Sequence, residues 1–218
     1  MKNFMFKRLS FLGLTGLLFA SSCMSDLQEP NQIEASKSQN EVAFAEANVS
    51  DVNARKAVER NYFERFTNQI SLIPVEGFIP DYGAPAYYPG AGLGNSSHMG
   101  KAYSFLNQFA TVGAEGLETK GRPVTQFYGE ELAALGLTNI PDEVSSITTD
   151  GKGNSVWFKN INNQVSPVGP DRMEFVAEVE IINGTGKFEG ATGTATVKGH
   201  FNPLNGKGMS TISGRIIY

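Results

Sequence analysis

With 218 residues, one cysteine, two histidines and a net charge of −4, the chain excludes an internal disulfide and offers poor material for a histidine-based metal site. It also lacks the basic balance of a nucleic-acid binder. Its 24 glycines and 15 phenylalanines suit many turns between aromatic-bearing strands.

Taken in order, Met1–Ser22 places Lys2, Lys7 and Arg8 before an apolar run from Leu9 to Ala20. That run is short and broken by glycine, which reads as a signal peptide and not as a spanning helix. Ala20-Ser21-Ser22-Cys23 resembles a bacterial lipobox, with alanine where leucine is usual. The expectation is a lipoprotein lipidated at Cys23, held to the membrane by acyl chains; two or more chains give stable anchoring where one is marginal. The alternative is a secreted protein with a stray thiol. Met24, not aspartate, follows the cysteine, so the outer membrane is expected, in either leaflet. Removing Lys2, Lys7 and Arg8 with the leader takes the net charge from −4 to −7.

Residues 23–60 are rich in Ser, Asn, Gln, Glu and Ala and show no strand alternation, the pattern of a tether. Val52, Ala54 and Val58 give a thin stripe for a short helix over Ser50–Arg60. From Asn61 to Tyr218 the chain reads as one domain with length enough for a core. Strands are expected over Phe63–Ile73, Met99–Val112 and Gly121–Tyr128, then a short helix or turn over Gly129–Leu137. Val144–Thr149 and Ser155–Ile161 flank Asp150-Gly151-Lys152-Gly153-Asn154, a hairpin signal. Arg172–Ile182 alternates best, with Met173, Phe175, Ala177, Val179 and Ile181 opposite Glu174, Glu178 and Glu180.

Pro80–His98 reads as one long loop with three prolines, four glycines and Tyr82, Tyr87 and Tyr88. Those tyrosines are either ligand contacts at a barrel mouth or packing on the barrel wall. Further on, Asn183-Gly184-Thr185-Gly186-Lys187-Phe188-Glu189-Gly190-Ala191-Thr192-Gly193 is too dense in glycine for a helix or ordinary strand. It reads as a structural corner (Gly184, Gly186, Gly190, Gly193) with Phe188 tucked inward. Two alternating runs around Asn202-Pro203-Leu204-Asn205-Gly206 then form a terminal hairpin.

This corner resembles the Gly-Gly-Thr-Gly-Arg-Phe-x-Gly-Ala-x-Gly signature of the dirigent and allene oxide cyclase-like barrels, including an uncharacterised secreted bacterial branch. Asn183 and Lys187 depart from the pattern. The resemblance implies an all-β fold, a closed antiparallel eight-stranded barrel, and assembly as a homo-oligomer. It carries over no catalytic residue.

The chemistry candidates are few. Gly184-Thr185-Gly186-Lys187 is followed by Phe188 and a strand, not by Ser or Thr and a helix, so it is no phosphate loop. His98 reads as a strand-entry hydrogen bonder and His200 as solvent-facing; no spacing of the two suits a metal. The Glu174, Glu178 and Glu180 row is a solvated face unless it lines a cavity. No catalytic residue, cofactor, metal or nucleic-acid partner is expected. The leading expectation is a non-enzymatic barrel that binds a small apolar ligand or an envelope partner. A cavity enzyme of cyclase or isomerase type, and a structural envelope protein with a filled barrel, are the alternatives. An apolar cavity favours binding, a buried carboxyl beside a tyrosine favours chemistry, and a solid interior favours structure.

Overall fold

The computed structural model describes residues 57–218, Glu115 excepted. The leader, Cys23 and nearly all of the tether therefore lie outside the described residues. Twelve strands are described: β1 (Glu59–Ile70), β2 (Ile73–Ile79), β3 (Ala84–Tyr87), β4 (Gly90–Ser96), β5 (Gly100–Leu106), β6 (Gln108–Gly113), β7 (Gly116–Gly121), β8 (Ser146–Thr149), β9 (Ser155–Gly169), β10 (Arg172–Thr185), β11 (Thr192–Phe201) and β12 (Lys207–Ile217). One helix, α1 (Thr125–Ala134), interrupts them.

Eight of these strands form a closed antiparallel ring, in the order β1-β4-β5-β8-β9-β10-β11-β12 and back to β1. The sequence expectation of a closed eight-stranded barrel is met. The remaining strands form a flange: β7 pairs with β9 beyond the reach of β8, and β6, β3 and β2 follow outward.

Alternation along each strand decides what fills the ring. On β1, Tyr62, Glu64, Phe66 and Asn68 are buried while Asn61, Phe63, Arg65 and Thr67 are exposed. On β10, Ala177, Val179 and Ile181 are buried and the three glutamates face solvent. At one end the barrel is packed solid by Tyr62, Val156, Phe158, Ile181, Phe188 and Ile216. Phe188 is the plug, projecting inward from a single 3-10 turn, Gly186–Phe188, with its ring 4.7 Å from that of Tyr218. Gly186 takes a left-handed φ of 62°, open to glycine at no steric cost. Asn183 braces the corner, its Oδ1 accepting from the backbone N–H of Gly184 (2.8 Å) and of Gly190 (2.9 Å).

Four expectations are corrected. Glu59 and Arg60 open β1, so the last residues of the helix expected over Ser50–Arg60 are strand. Met99–Val112 is two strands, because Asn107 turns out of the ladder. Its N–H donates to Ser145 O (2.9 Å) and its Nδ2 to Pro123 O (3.0 Å). Gly121–Tyr128 is not a strand. Pro123 has no N–H to give a ladder, and the chain turns helical so that Val124 and Leu132 pack with Ile147 and Trp157.

Pro80–His98 is not a structureless loop either; it holds β3 and β4. The glycines of β4 misread as loop residues are inward-facing spacers. A Cβ on Gly94 would fall 1.9 Å from Arg65 O and 2.7 Å from Phe66 Cδ1. Neither a strand backbone nor a buried ring yields cheaply. Gly94→Ala is therefore expected to destabilise the barrel by about 3 kcal/mol, read as a drop in the urea midpoint at unchanged slope.

Candidate functional site

Above the solid end the barrel is hollow. A cavity of about 100 Å³ lies between the strands, and its walls are chiefly apolar: Phe66, Phe158, Phe175, Val179, Val197 and Phe201. Polar side chains enter from particular strands. Ser104 comes from β5, Thr148 from β8, Ser210 from β12, and both Asn160 and Asn163 from β9. Two residues three apart on one strand reach the same interior because β9 bulges there: Asn160 is registered with Val179 and Asn163 with Ala177, with a shift between.

At the boundary between the solid and hollow halves sits Glu64, 0 % exposed. Tyr62 Oη donates to its Oε1, and Thr148 Oγ1 donates to its Oε2 at 2.9 Å. Ser96 Oγ is close enough to favour the charged form, yet it makes no well-formed hydrogen bond and remains a buried hydroxyl without a partner. Burial pushes the Glu64 carboxyl up to about 7 against the three hydroxyls, which favour its ionised form. Burial, then the neighbouring Glu64 charge, holds the Tyr62 phenol well above its ordinary value. Thr148 lines the cavity and Glu64 stands behind it. The carboxyl can act on an occupant only through that hydroxyl.

No family model, curated protein or solved structure matches this chain. The site's own geometry carries the functional argument.

Of the three tyrosines picked from the sequence, Tyr88 lines the cavity. Its hydroxyl donates to Gly83 O (2.7 Å), and its ring meets that of Phe201 edge-on at 6.1 Å. Tyr87 packs between the rings of Phe109 (4.9 Å) and Phe127 (5.5 Å), away from the cavity lining. Tyr82 is 58 % exposed in the turn between β2 and β3. The glutamates of β10 remain on the outer face. His98 Nε2 bonds Asn61 O at 2.7 Å beside the start of β5. Among the described residues no group of three or more His, Cys, Asp or Glu side chains lies close enough together to hold a metal ion.

The sequence reading missed Glu64, Tyr62, Asn68 and Asn163. For the first three a signal existed: Tyr62, Phe66 and Ile70 share a parity, and Glu64 and Asn68 share it too. For Asn163 there was none, since the bulge that turns it inward breaks the parity rule.

Proposed function

We propose that this chain is a lipid-anchored binding barrel of the bacterial cell envelope, holding a small, mainly apolar ligand in the hollow half of its ring. The cavity carries the reading. An enclosure of about 150 Å³ lined by Leu, Ile and Phe takes up benzene. The cavity here, about 100 Å³ and walled by Phe, Val and Leu, is smaller than that and on the scale of a small ring or a short chain. Cys23 after a lipobox-like stretch, and a leader with a short apolar run, support outer-membrane lipoprotein anchoring. The likeness of 183–193 to the allene oxide cyclase and dirigent signature supports kinship with those barrels and, with it, a homo-oligomer.

Native mass spectrometry of the protein released gently from membranes reports subunit count and co-purified ligand together. The expected outcome is a reproducible apolar adduct that disappears in Val197→Phe, which fills the cavity. A clean apo mass, unchanged after exposure to lipid and metabolite extracts, would sink the reading. Cys23→Ser is expected to move the protein to the aqueous phase on detergent partition and to abolish palmitate labelling.

The buried Glu64 beside Tyr62 favours a second reading, a cavity isomerase acting on a hydrophobic substrate. Loss of a turnover in Glu64→Gln, with binding retained, would distinguish it. A filled structural barrel is the least favoured reading, since the upper half holds a cavity.

A further inference from the structure

The cavity wall carries an acceptor that the protein itself leaves unpaired. Asn163 lines it, and Asn163 Oδ1 is shielded from solvent without a hydrogen-bond partner. A buried carbonyl oxygen left this way is costly, and native interiors rarely tolerate one that serves no purpose. Thr148, also on the wall, gives its proton to Glu64 Oε2. What remains on that hydroxyl toward the cavity is lone pairs.

A third acceptor stands behind the wall. Asn68 is 4 % exposed; its Nδ2 donates to Ser210 Oγ at 2.9 Å, while its Oδ1 is unpartnered. That oxygen and Ser104 Oγ converge on the space above Gly92. A Cβ there would lie 2.3 Å from Asn68 Oδ1 and 2.5 Å from Ser104 Oγ. The gap exists because residue 92 has no side chain. Asn163 Oδ1 on the wall and Asn68 Oδ1 behind it are thus acceptors that the protein itself leaves without a donor.

We infer that the ligand is an apolar molecule carrying a hydrogen-bond donor, a hydroxyl or N–H group, and that Asn163 Oδ1 receives it. The inference rests on reading the cavity as a ligand site and specifies what that site selects. A ligand whose only polar group accepts would leave Asn163 Oδ1 unpaired and face lone pair with lone pair at Thr148. A purely apolar one would bury the same orphan. A site built to pair a ligand hydroxyl discriminates against analogues that lack it far more sharply than an apolar wall discriminates by size.

The test uses three probes on one frame: cyclohexanol, cyclohexanone and methylcyclohexane, titrated against the full chain in mild detergent and followed by ligand-observed NMR. Cyclohexanol is expected to bind roughly ten-fold more tightly than either other probe. Asn163→Leu is expected to bring the three within about two-fold of one another while methylcyclohexane binds at least as well as before. Asn163→Ala, which cannot overfill the wall, should level them in the same way. Equal affinities in the wild type, or a preference for cyclohexanone, would overturn the donor assignment and leave the binding barrel standing. A cyclohexanol preference that survives both substitutions would overturn the role of Asn163. Binding of none of the three would remove this inference and the ligand reading together.

Discussion

Raising the pH from 5 to 8 is expected to cost the barrel about 3 kcal/mol of stability through Glu64 alone, and Glu64→Gln is expected to abolish that loss. The carboxyl is fully buried and pushed from 4.5 up to about 7, burial outweighing the hydroxyls of Tyr62, Thr148 and Ser96. A raised carboxyl means that the folded chain holds its proton where the unfolded chain has released it. Between about 4.5 and 7 the folded state therefore binds more protons, and stability falls as pH rises through that window. Below 4.5 both states are protonated and above 7 both are ionised, so the curve flattens at each end. Urea unfolding at pH 5, 6, 7 and 8 isolates the contribution as the difference between wild type and Glu64→Gln. At pH 8 the variant should melt higher by roughly 6–12 °C, given the usual conversion for a domain of this size. Parallel pH profiles for the two proteins would refute the assignment.

Phe188→Ala is expected to remove about 3–5 kcal/mol, enough to leave many domains of this size only marginally folded. The ring is 0 % exposed and plugs the solid end of the barrel. The backbone that delivers it cannot follow a smaller side chain inward. A Cβ on Gly184 would already lie 2.2 Å from Ser155 O, so strand and corner are in contact. The cavity left by truncation should stay open instead of collapsing. Phe63→Ala is the control: its ring is 50 % exposed on the outer face of the same barrel, and its loss should shift stability by no more than about 0.5 kcal/mol. Equal losses for the two would show that Phe188 is not a plug.

The fold was more legible than the site, and particular residues show why. Strands that bury one face, such as β10, announce themselves because polar and apolar residues alternate and solvent enforces the difference. The corner at 183–193 was legible because left-handed turns and close backbone contacts demand glycine at fixed positions. Even Asn183, where the resembled signature has glycine, has a place there as the acceptor for two N–H groups. Gly90, Gly92 and Gly94 misled for the opposite reason. They are glycines of contact, where side chains of β1 need the room, and composition alone cannot separate them from glycines of turn. Glu64 and Asn68 were hidden because polar residues on an interior face contradict the very pattern used to find that face. Two of their partners, Thr148 and Ser210, lie 84 and 142 positions away. Interior polar groups violate local consistency, so the rule that reveals a barrel conceals the polar residues inside it.

Dividing the ring into a sealed half and a hollow half gives this chain an evolutionary latitude that a uniformly packed barrel lacks. Plug, corner and aromatic cluster support the fold below Glu64. The cavity-lining positions above it that stand outside that cluster, among them Ser104 and Asn163, are free of that task. On the proposed binding role, substitutions there would exchange one occupant for another at little cost to folding. Because surplus stability is what lets a protein survive changes of function, descendants of such a barrel can diverge in what they carry while keeping one architecture.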